Sequence, residues 1–215
     1  MTTLEIKNIT SHPVQTYLTL GATPGCVQNV SHLRLSHDVI ITELYPLMGT
    51  FTLHAHTTLT VTAPEGLGLN GNFSFATPPL NCPCPDYPEG VNLAEFIINN
   101  GFQAGGQETV DISGVCGTNA YLGFELSESD WSSNGGQIAP VNAFANSTRF
   151  NNTGLVGVYP YGCDNCTASV NPPACVGLQP QNANSEPICN VQRNAATNRG
   201  GKVVVVFNGF TPVPA

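Results

Sequence analysis

Hardly any stretch of this chain can hold a helix, because Gly, Pro and Asn interrupt nearly every window long enough to form one. What recurs instead is alternation of apolar and polar residues, the pattern of strands with one buried face. The clearest case runs from Thr50 to Thr62. Phe51, Leu53, Ala55, Leu59 and Val61 point one way; Thr50, Thr52, His54, His56, Thr58, Thr60 and Thr62 point the other. Strands are predicted over 4–9, 14–20, 39–44, 50–62, 93–98, 109–113, 121–126, 155–159 and 202–207. Val203 to Phe207 is apolar on both faces, which predicts a central strand rather than an edge. So many short strands predict an all-β, antiparallel sandwich or barrel.

With 215 residues, 41% of them hydrophobic, the chain can bury one sizeable core, which excludes a disordered tail or linker. Charged residues make up 9%, against about 25% in an average globular protein, and 22 Asn, 21 Thr, 22 Gly and 17 Pro supply the polarity and the turns. The net charge is −8, and Lys7, Arg34, Arg149, Arg193, Arg199 and Lys202 are too scattered to track phosphates. Nucleic acid and anionic membrane are therefore not expected partners. No apolar run is long enough to cross a bilayer, and Met1 to Lys7 lacks the apolar segment of a signal peptide. Either a leader has been removed or the protein never uses one, which would suit an assembly protein released without secretion.

Eight cysteines, Cys26, Cys82, Cys84, Cys116, Cys163, Cys166, Cys175 and Cys189, admit thiols, metal ligands or four disulfides. Their spread through a low-charge chain favours disulfides and an oxidising compartment, with the connectivity open. Zinc is the competing reading, since Cys163 and Cys166 form a CxxC, but Cys175 and Cys189 do not form a second one. His54 and His56, about 7 Å apart on one wet strand face, suit a metal only if a third ligand joins them, and a solvated pair in a threonine ladder is the plainer expectation. No metal or cofactor is expected. Six Asn-x-Ser/Thr sequons, at Asn8, Asn29, Asn72, Asn146, Asn151 and Asn165, are candidate glycosylation sites and agree with export.

Residues 76–92 hold five prolines and read as an ordered loop, stapled in two directions by Cys82 and Cys84. Residues 160–201 are Cys- and Asn-rich and cannot bury a core alone. The expected organisation is a sandwich core of residues 1–159 plus 202–215, with 160–201 as a disulfide-tied loop region packed on it.

Three segments carry a resemblance: Leu80-Asn-Cys82; Asn92-Leu-Ala-Glu95-Phe-Ile-Ile-Asn99; and Val110-Asp111-Ile-Ser-Gly-Val-Cys-Gly117. In this order they resemble the middle of thaumatin-like (pathogenesis-related group 5) proteins. Thr3 to Asn8 is similar to that family's opening strand, Gly68 to Phe75 to its Gly-rich approach to a Phe, and Lys202 to Phe207 to its closing strand. The resemblance implies a flattened β-sandwich with Cys-rich loops, secretion, and an acidic cleft used on polysaccharides, typically β-1,3-glucans. Carried over by position, the cleft Glu falls on Glu95 and the first cleft Asp on Asp111. The second Asp falls on Cys116 and the Arg near Asn70, Asp164 is the nearest candidate for the last Asp, and eight cysteines stand where the family has sixteen.

Glycoside hydrolysis needs two carboxyl groups whose environments drive their pKa values apart, and Glu95 with Asp111 is the pair to nominate. Losing the other acids and the Arg removes the charges that would tune such a pair, so binding is favoured over turnover. Sugar binding also wants aromatic faces. Trp131, in a Gly-rich turn, and Tyr87, Tyr159 and Tyr161, in Pro-rich loops, are the candidates. The leading expectation is a secreted, defence- or wall-associated protein that binds polysaccharide as a monomer. The alternatives are a self-assembling shell or surface-layer subunit, homo-oligomeric and placed on a virion or cell surface, and a weak endo-β-1,3-glucanase.

Overall fold

The computed structural model describes residues 1–76, 91, 93–100, 107–113, 119–126, 132–133, 136–137, 191–194 and 200–210. They form β1 (Thr3–Asn8), β2 (Val14–Leu20), β3 (Arg34–Leu35), β4 (Thr42–Tyr45), β5 (Met48–Leu53), β6 (Thr58–Thr62) and β7 (Leu69–Phe75). The later strands are β8 (Leu93–Ile98), β9 (Gln107–Ser113), β10 (Ala120–Leu126), β11 (Ser132–Ser133), β12 (Gly136–Gln137), β13 (Val191–Asn194) and β14 (Lys202–Phe210). Apart from two short 3-10 turns, Val30–His32 and Ser36–Asp38, the described regular structure is all β. No helix among the described residues is long and apolar enough to cross a membrane.

The strands make two sheets: a smaller one ordered β10-β14-β1-β6-β3 and a larger one ordered β12-β11-β13-β9-β8-β7-β2-β5-β4. Pairing is antiparallel throughout except between β1 and β14. One apolar cluster joins the inner faces, with Leu4, Ile6, Leu59 and Val205 from the smaller sheet and Leu18, Leu53, Phe73 and Phe96 from the larger. The Phe75 and Phe207 rings, stacked at 4.6 Å, bridge the two layers. This is the expected sandwich.

Val203 to Phe207 are all buried, and β14 sits between β10 and β1, as its two-sided apolarity requires. Its outer valines are shielded by charge pairs: Lys7 Nζ reaches Glu125 Oε1 at 3.0 Å across β14, and Lys202 Nζ reaches Glu5 Oε1 at 2.7 Å. The lysine stems lie along apolar surface while their ammonium ends stay wet.

The predicted strand 50–62 is two strands in different sheets. The chain turns at residues 54–57, with His56 in the left-handed region (φ 53) and its N–H bonded to Thr10 O at 3.2 Å. Odd-numbered side chains stay buried on both sides of the corner, so the alternation survives while the ladder breaks. His54 and His56 are exposed at this corner and share no strand face. The predicted strand 39–44 forms only from Thr42, because His37 and Asp38 adopt positive φ in the turn before it. Leu69–Phe75, not predicted, is a strand. The predicted strand 155–159 lies outside the described residues.

Cys26 is buried, 2% exposed, with no disulfide partner among the described residues, and burial pushes its pKa up from the usual thiol value. Cys82, Cys84, Cys116, Cys163, Cys166, Cys175 and Cys189 lie outside the described residues. Asn8 corrects the glycosylation expectation. It is 1% exposed, its Nδ2 donates to His12 O and Leu53 O, and its Oδ1 accepts from the Thr10 N–H and hydroxyl, so the sequon is spent on closing the β1–β2 connection.

The segment 160–201 was expected to lie on the core as a loop region. Its residues 191–194 instead enter the larger sheet as β13, between β9 and β11. A buried ion pair fixes them there: Arg193 Nε donates to Glu108 Oε2 at 2.7 Å, both side chains 2% exposed. Arg193 also donates to Thr2 Oγ1 at 2.7 Å and to Gly200 O, and Glu108 Oε1 accepts the Asn99 N–H at 3.0 Å. Buried charges need this degree of pairing.

Candidate functional site

The larger sheet buries Ala94, Phe96 and Ile98 of β8 and turns Glu95 and Ile97 outward, because successive side chains alternate faces. On β9, Glu108 and Val110 face inward, leaving Thr109 and Asp111 on the outer face. The register sets Glu95 directly opposite Asp111 and, on its other side, opposite Asn72 of β7. Asn72 in turn faces Thr19 of β2. The next file along the same face holds Asn70, Ile97, Thr109 and Gln192.

Between these files runs an open groove of about 270 Å³, near the small end of ligand-site volumes. It crosses β7, β8 and β9 and reaches the end of β2 at Gly21. Among the described residues Glu95 and Asp111 are its only charged lining, both half-buried. Two close approaches shape the floor. A Cβ on Gly71 would stand 2.2 Å from Thr19 O, so only glycine lets β7 lie this tightly against β2. A Cβ on Gly21 would stand 2.6 Å from Asn70 Nδ2, an amide held by Thr23 Oγ1 in the loop that walls the groove.

Asn72 Oδ1 and Thr19 Oγ1 are buried without a hydrogen-bond partner. Such atoms are uncommon in native interiors. Facing solvent are two carboxylates, which accept hydrogen bonds, and Asn and Thr groups, which donate and accept.

The two acids nominated from sequence are thus neighbours on adjacent strands and line one groove. Asn70, Asn72 and Thr109 were missed as site residues. Asn72 had been noted only as a sequon, and its Ser74 is fully buried. Two Asn around a Gly signal a turn, and only the pairing of Leu69–Phe75 with its neighbours puts them on a strand. Asn29 is half-buried, and its side chain caps the turn at Val30 by accepting the Ser31 N–H at 2.8 Å. Trp131, Tyr87, Tyr159, Tyr161, Asp164, Asn146, Asn151 and Asn165 lie outside the described residues.

No protein-family model matches the chain, and no curated protein matches it. Among solved structures, the thaumatin-like xylanase inhibitor TLXI is similar over 95% of this chain and 97% of its own, at 11% identity and a TM-score of 0.41.

Proposed function

We propose that this protein binds a neutral polysaccharide of the β-1,3-glucan class across the outer face of the larger sheet, in an extracellular setting and without efficient turnover. The observation that carries this reading is the facing of Glu95 and Asp111 across β8 and β9, in a groove whose other described polar lining is uncharged. Sugar hydroxyls both donate and accept, so a floor of carboxylate, amide and hydroxyl groups matches them.

Turnover asks for more. Cross-strand neighbours have Cβ atoms about 5 Å apart, which is compatible with the carboxyl spacing of a retaining hydrolase. Hydrolysis also needs one acid enclosed and the other wet, so that one stays protonated. Glu95 and Asp111 are both half-buried in the same open groove, so the described residues enclose neither acid more than the other.

Co-sedimentation with insoluble β-1,3-glucan tests the reading. Wild type is retained and runs as a monomer on sizing, and Glu95→Gln loses most of the retention. Release of reducing sugar by wild type but not by Glu95→Gln would move the conclusion to a hydrolase. A large homogeneous particle that ignores glycan would replace it with the assembly reading.

A further inference from the structure

The groove crosses strands rather than running along them, and its end at Gly21 opens toward the β4–β5 hairpin. The file that contains Asp111, Glu95, Asn72 and Thr19 continues to Met48 of β5 and ends at Tyr45 of β4, which pairs with Met48 just past the register shift in β4. Tyr45 therefore stands on the same face as the two acids, four strand spacings or about 19 Å from Glu95. Tyr45 is 67% exposed, and Pro46 beside it is exposed too.

An exposed aromatic on an edge strand can also mark a place where another strand adds to the sheet. The form of β4 opposes that use. It is four residues long, carries Glu43, shifts register between Glu43 and Tyr45, and is followed by Pro46. Shortness, charge, a bulge and proline are the devices that blunt an edge against pairing. What remains to explain is a flat apolar ring beside a polar groove, and sugar rings stack on such faces.

We infer that Tyr45 is an outer subsite for the distal sugars of a chain whose inner sugars lie at Glu95 and Asp111, so that the ligand is an oligosaccharide crossing the strands rather than a single sugar. This rests on the polysaccharide reading above. Calorimetric titration of the full chain with a β-1,3-linked glucose trisaccharide and a hexasaccharide tests it. Wild type binds the hexasaccharide more tightly. Tyr45→Ala weakens hexasaccharide binding about three- to tenfold, as loss of one aromatic contact predicts, and leaves the trisaccharide unchanged, while Tyr45→Trp keeps the preference.

If Tyr45→Ala affects both oligomers equally or neither, while Glu95→Gln abolishes binding, the subsite falls and the polysaccharide reading stands. If wild type binds neither oligomer, both fall. If Tyr45→Ala dissolves a dimer seen by sedimentation, the ring is a protein interface and the subsite is overturned.

Discussion

The outer faces of the two sheets use acidic residues in opposite ways. On the smaller sheet Glu125 meets Lys7 across the valines of β14, and Glu5 of β1 meets Lys202 at the start of β14. On the larger sheet Glu95 is set against another acid, Asp111, over a floor of Asn and Thr. The first arrangement closes a face and the second keeps one open. The difference lies in which residue each acid is set beside rather than in composition.

If the open face tolerates this, the larger sheet must draw its strength from its inner side, and the most severe test lies there. Glu108→Ala strands the Arg193 guanidinium among buried groups and should lower unfolding free energy by about 3–5 kcal/mol, measured by denaturant titration. A loss below about 1 kcal/mol would remove the contrast between a rigid inner and a tolerant outer face. Replacing both partners with leucine should recover much of the loss, since a well-packed apolar pair can substitute for a buried ion pair.

The floor of the groove gives an intermediate effect. Gly71→Ala forces a methyl against Thr19 O and should lower stability by about 1–3 kcal/mol while weakening glucan retention, because it parts the strands that carry Asn72 and Thr19. Unchanged melting together with unchanged retention would show that β2 and β7 need not lie so close.

The smallest effects sharpen the comparison by their signs. Lys7→Gln removes a partly exposed pair and should lower stability by less than about 1 kcal/mol, fading in high salt. Glu95→Gln removes a like-charge juxtaposition and should raise stability by a few tenths to about 1 kcal/mol. Shifts of the same sign in paired thermal melts at low and high salt would contradict the account of the two faces.

The parts of this fold that follow from local pattern were legible in the sequence. Val203 to Phe207 has no polar residue to turn outward, so its central place follows from hydrophobicity alone. The break at His54 to Thr57 did not show, because a four-residue corner preserves period-two parity: Leu53 and Leu59 both remain odd-numbered and buried although their strands belong to different sheets. β7 was hidden by Asn70, Gly71 and Asn72, poor strand formers that are tolerated through pairing on both sides. Glu95 and Asp111 were singled out by resemblance, but their direct opposition depends on register, which no single strand encodes. Glu108 and Arg193, 85 positions apart, carried no sequence signal of their contact.

The parallel ladder between β1 and β14 bears on how the molecule is made. The opening strand's neighbour is the last strand described, so on a ribosome Leu4 and Ile6 emerge long before Val203 and Val205 are available to cover them. The layers can seal only after residues 202–210 have been released, and until then those early apolar side chains depend on chaperones or transient collapse for cover.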